Sequence, residues 1–148
     1  MIDVHRILLL VPIAVAACTQ DVAEMHTAAR FRSEPLALAE GFESACSDPS
    51  ESFLRPDRHT AQCWIYLPPD VTAALILAHD GTHENLPRLV LQMHTTPLPD
   101  GSYRVDLENF LNVPQNSGPA RRIVYDDPGS RRSMARMLDE LGGEPISN

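Results

Sequence analysis

The sequence predicts an α+β domain, an antiparallel sheet of three or four strands with helices packed on one face, the last helix at the C-terminus. Three patterns carry this. Leu89, Leu91 and Met93 alternate with Val90, Gln92 and His94, and Tyr103, Val105 and Leu107 alternate with Arg104, Asp106 and Glu108, the period of half-buried strands. Asp127 as N-cap with Pro128 behind it opens a helix that Gly142 closes, with Met134, Met137, Leu138 and Leu141 as its apolar stripe. Cys63-Trp64-Ile65-Tyr66-Leu67 reads as a further strand, stopped by Pro68-Pro69.

In chain order, residues 7–17 are an uncharged apolar run behind a weakly positive start with His5 and Arg6. That is the layout of a secretory signal, and the run is well short of the roughly 20 residues a spanning helix needs. Residues 18–32 are polar and alanine-rich and read as a tether. Ser33 as N-cap and Pro35 in the first turn then start a helix with Leu38, Phe42, Ala45 and Cys46 on its buried stripe. Residues 48–62 read as a loop. Asp70 caps a short apolar helix over residues 71–79, with Gly81 at its C-cap; the paired cap signals favour helix over strand.

The turn of the central hairpin follows from the side-chain pattern. A two-residue Asp100-Gly101 loop would set Met93 opposite Glu108 and mix the two faces. A three-residue loop, Pro99-Asp100-Gly101, sets Met93 opposite Leu107, Thr95 opposite Val105 and Pro97 opposite Tyr103. One residue of slip flips every side chain, so the pattern selects a type I turn with a glycine bulge. Residues 112–120 are a loop and 122–125 a short strand before the final helix.

The apolar run ends in Val15-Ala16-Ala17-Cys18. This resembles the lipobox of bacterial lipoprotein signal peptides, and the resemblance covers residues 1–18. It implies removal of residues 1–17, diacylglycerol (and palmitate-type acylation) on Cys18, a lipidated tether over 18–32 and one domain over 33–148. Thr19 is not the aspartate that the family links to inner-membrane retention, so the resemblance implies the outer membrane, facing the periplasm. Lipidating Cys18 also leaves Cys46 and Cys63 as an even pair in an oxidising compartment, and they are expected to form a disulfide.

Removing residues 1–17 leaves 131 of 148 residues, enough for one core, and the charge stays at −8 because Asp3 and Arg6 leave together. Such acidity argues against nucleic acid, whose phosphates need basic partners. It also gives no attraction to anionic lipid, so the lipid anchor would be the membrane contact. All 12 basic residues are arginine. Schiff-base chemistry and a P-loop lysine are therefore excluded, and the pattern implies no cofactor.

Two candidate sites stand out. His79, His83 and Glu84, joined by His94 from the hairpin, are metal-ligand types, although Asp80-Gly81 places a turn between the first two. Arg55, Asp57, Arg58 and His59 sit in the segment that the disulfide would close, and a stapled loop loses less entropy on docking a partner. His94 and Asp106 would face each other across the hairpin. No serine lies in a Gly-x-Ser-x-Gly elbow, so no catalytic residue is assigned. The expected function is a non-enzymatic binding or assembly accessory displayed from the envelope membrane, with an envelope protein as partner. The second expectation is a metal-binding or metal-dependent hydrolytic protein built on the histidine cluster.

Overall fold

The computed structural model describes residues 27–124 and 127–146. The signal segment 1–17, Cys18, tether residues 18–26 and the Tyr125 end of the last predicted strand lie outside the described residues. The element order is β1 Thr27–Phe31, α1 Leu36–Ala45, β2 Glu51–Asp57, β3 Thr60–Tyr66, α2 Pro69–His79, β4 Arg88–Pro97, β5 Tyr103–Val113, β6 Arg121–Val124, α3 Pro128–Glu140 and β7 Glu144–Pro145. No helix among the described residues is long and apolar enough to cross a membrane.

The sheet is antiparallel, as expected, but has seven strands rather than three or four. Its order is β2-β3-β4-β5-β1-β7, with β6 also paired to β5. Two of the extra strands lie where the sequence reads as unstructured. Residues 27–31 of the expected tether form β1, because Thr27-Ala28-Ala29-Arg30-Phe31 meets the free edge of β5, with Ala29 opposite Val105 and Phe31 opposite Tyr103. Alanine has no strand preference of its own, so this pairing is a long-range decision.

The expected loop at 48–62 is mostly a hairpin, β2 and β3, turning at Arg58-His59. Proline gives a strand no N–H to donate at Pro56. It is tolerated because β2 is an edge strand and its register shifts between Leu54 and Asp57.

The central hairpin has the register read from its pattern. Met93 faces Leu107, Thr95 faces Val105, Pro97 faces Tyr103, and His94 faces Asp106. Gly101 N–H donates to Leu98 O at 3.0 Å and Leu98 N–H donates to Ser102 O at 2.8 Å. Gly101 has φ +80°, the left-handed value that closes the turn without a Cβ clash.

The helices differ most at their starts. Pro35 is itself the N-cap of α1, without a side-chain cap bond, so Ser33 is not the cap. Proline disfavours helical geometry at the residue before it, which pushes the start past Glu34. In α2, Pro68 is the N-cap, Asp70 sits in the first turn, and Asp80 rather than Gly81 takes the left-handed position, at φ 52°. Gly81 serves packing instead, since a Cβ there would lie 3.1 Å from the Ile76 Cα.

Helix α3 is built as its caps dictate. Asp127 accepts from Ser130 N–H at 2.7 Å. At the other end, Gly142 N–H donates to Asp139 O and Gly143 N–H to Leu138 O, a Schellman closure with Gly142 at φ +85°.

Side chains alternate across the sheet and make its two faces different. One face gathers Ala29, Phe31, Ala61, Met93, Val105 and Leu107 with Leu38 of α1 and Leu138 of α3 into the main core. These two helices therefore share a face, as expected. The other face carries polar rungs: Gln62 Nε2 donates to Gln92 Oε1, Gln92 Nε2 to Glu108 Oε1, and Glu108 pairs with Arg122 at 2.6 Å. Arg122 lies 3.8 Å above the Phe110 ring.

The Cys46–Cys63 disulfide joins the end of α1 to β3, bridging a separation of 17 residues. Closing such a loop stabilises the fold by about 3 kcal/mol in the chain-entropy model.

Candidate functional site

The β2–β3 turn is the first piece of the site. Asp57 Oδ1 accepts from His59 N–H at 2.7 Å, an Asx-type contact that fixes the turn. That backbone bond, with a second from the Thr60 hydroxyl, holds the Asp57 carboxyl below its ordinary range. Thr95 N–H donates to His59 O at 2.8 Å and ties the turn to β4. Arg58 Nε donates to His59 Nε2 at 2.8 Å.

Behind this turn lies a cleft of about 350 Å³. Its floor is Ala61, Met93 and Tyr103 from three strands, and one wall is Pro35, Leu36 and Ala39 at the start of α1. Its rim carries Arg55, Arg58 and His59, with Glu34 across from them. Arg55 is anchored by Glu43 at 3.1 Å and sits 5.3 Å from the Phe53 ring centroid. Arg58 is exposed and has no carboxylate partner among the described residues.

The cleft thus combines an apolar floor with a guanidinium available for a bidentate contact. Three of the four residues expected to bind a partner line it, and the fourth, Asp57, sets the geometry of their turn. The sequence places them in a loop closed by the disulfide; in the protein they ride on an edge strand and a two-residue turn.

The histidine cluster is not brought together. His79 ends α2, where its Nδ1 lies 3.4 Å from Arg121 Nη1. His83 and Glu84 are exposed in the turn that follows, with Glu84 N–H donating to the Thr82 hydroxyl. His94 lies on the polar face of the sheet, its Nδ1 2.9 Å from Thr60 Oγ1. Its cross-strand neighbour Asp106 pairs with Arg104 at 2.8 Å.

Among the described residues, the set of three ligand types within mutual reach is Cys46, Glu51 and Cys63, and both sulfurs are spent on the disulfide rather than being thiolates. The left-handed Asp80 ends α2 between His79 and His83, so the two do not share a helix face.

The floor of the cleft was beyond sequence reasoning. Met93, Ala61 and Tyr103 each read as ordinary inward strand positions. What hollows the surface there is the offset between the start of α1 and the hairpin tip. The one available signal was the excess of arginine and histidine at 55–59 in an acidic chain. The chain matches no protein-family model, no curated protein and no solved structure.

Proposed function

We propose that this protein is an envelope lipoprotein, anchored by lipid on Cys18 and acting as a non-enzymatic binding accessory that takes an anionic group of its partner into the cleft between α1 and the β2–β3 turn. The lipobox-like Val15-Ala16-Ala17-Cys18 and the even pair Cys46 and Cys63 support the anchoring and an oxidising compartment. The site reading rests on one observation: Arg58 and Arg55 rim a ligand-sized apolar-floored cleft in a chain of net charge −8. Cations set against the overall charge select an anion, and the apolar floor selects a ligand with carbon beyond the charged group. The outer membrane, facing the periplasm, is the proposed location.

Two measurements test the parts separately. Cys18→Ala should release the protein from the membrane fraction and remove the acyl mass from its N-terminus; a wild-type chain without that mass sinks the anchoring. Arg58→Ala should weaken binding of a short aspartate-rich peptide about tenfold, as expected for loss of a charge-assisted contact, without changing the melting temperature. Equal binding by wild type and variant would overturn the cleft assignment.

A further inference from the structure

A second concavity lies further along α1, over the disulfide. It encloses about 280 Å³ between α1, α3 and the sheet. Leu38 and Phe42 come from α1, Ile65 and Leu91 from the sheet, and Met137 and Leu141 from the α3 side. The Cys46–Cys63 bridge also lines it. Met137 and Leu141 belong to the stripe the sequence expects to be buried, yet they are 36% and 45% exposed. Gly41 opens on the same space, and a Cβ built there meets nothing within 4 Å. The apolar face of α3 therefore ends over a gap that the described residues do not fill.

Among the described residues, the one charged side chain lining the groove is Glu51. A carboxylate oxygen of Glu51 lies within 4.8 Å of both sulfurs of the bridge. Its hydrogen-bond donor is the Asp48 backbone N–H, at 3.2 Å, and no cation pairs with it among the described residues. This inverts the cleft at the other end of α1, which has arginines on its rim. At about 280 Å³ the groove suits part of a small ligand rather than a folded partner, whose footprint is many times larger.

We infer that the groove between α1 and α3 binds the alkyl chain of a small cationic amphipath, with its head group held at the Glu51 carboxylate. The apolar lining supplies affinity, because alkyl carbon loses water there and no polar group of the protein loses a partner. The carboxylate supplies the sign of the head group. A chain of net charge −8 adds to the same preference at longer range. This site is independent of the anion cleft and of the lipid anchor.

The test is titration of the full chain with decyltrimethylammonium, decyl maltoside and decyl sulfate, each below its micelle concentration, followed by methyl NMR. Decyltrimethylammonium should bind once per chain and shift the Met137 and Leu141 methyls. It should bind about tenfold more tightly than decyl sulfate, a ratio set by one unscreened charge. Affinity should rise about fourfold per added methylene until the groove is full. Glu51→Gln should remove the preference for the cation and leave decyl maltoside binding unchanged.

Gly41→Leu should keep the helix and abolish binding of all three, since the new side chain occupies the open space. Leu141→Asn, at an exposed position, provides a second blocking variant that does not alter α1. The inference is overturned if the shifts fall elsewhere, if decyl sulfate binds as tightly as the cation, or if both blocking variants fold and bind as wild type does.

Discussion

Helix α1 separates two concavities that are built from opposite materials. At its start, Pro35, Leu36 and Ala39 wall a cleft whose rim is Arg55, Arg58 and His59. On another flank of the helix, Leu38, Phe42 and Cys46 wall a groove whose charged lining residue among the described ones is Glu51. The floor of the first is made by core residues, Ala61 at 2% and Met93 at 3% exposure, whose other sides are packed. The second is lined by the covalent Cys46–Cys63 bridge beside Ile65 and Leu91 of the sheet. One hollow therefore depends on close packing and the other on a cross-link, and they should fail under different insults.

The largest effects test that difference. Met93→Ala should cost about 3 kcal/mol, because a buried thioether chain is lost and the strands around it cannot fully collapse. The loss should appear as a lower denaturant midpoint and weaker binding in the cleft, with the groove methyls little changed. Replacing both Cys46 and Cys63 with serine should also cost about 3 kcal/mol, through loop-closure entropy. Here the groove methyls should broaden first while the cleft holds, because β3 keeps its pairing with β4. If either substitution disturbs both hollows equally, they are one cooperative unit and the comparison collapses.

Smaller effects sharpen it. Gly41→Ala should raise stability by about 1 kcal/mol, since it removes a helix-interior glycine with no steric penalty. A lower midpoint for this variant would mean the groove is narrower than described. Glu43→Gln breaks the ion pair that anchors Arg55 on the cleft side. Both partners are about half exposed, so its stability cost should stay below about 1 kcal/mol, with the effect seen in Arg55 mobility instead.

The smallest effect is the response to acid. Asp57 beside the cleft is held low by the His59 N–H, and Asp48 beside the groove by the Ser50 N–H and hydroxyl. Asp127 at the cap of α3 is held low by Ser130. A carboxyl with a depressed folded pKa favours folding above its unfolded value of about 4, and that contribution is lost as pH falls through the folded value. Stability should therefore be flat from neutral down to about pH 5 and fall below about pH 4. In Asp57→Asn the β2–β3 turn should lose its part of this acid response while the groove side keeps its own. An unchanged profile in that variant would show that the turn is held without the charge.

The amino-acid pattern alone determined the elements whose evidence is local. Alternation around Pro99-Asp100-Gly101 set the β4–β5 register, down to His94 opposite Asp106. Asp127, Pro128 and Gly142 set both ends of α3, because cap residues act on backbone groups one turn away. Cysteine parity pointed to the Cys46–Cys63 pair.

Only the tertiary structure decided the rest. Strand β1 exists because alanine-rich residues 27–31 find the edge of β5, some 75 residues later in the register. Strand β2 exists because an edge position forgives Pro56. The same holds for the two hollows. Which apolar residues of α1 and α3 are covered, and which are left facing Glu51 or Arg58, depends on how far the helices stand from one another over the sheet. That spacing is set by packing between distant segments, and no local periodicity encodes it.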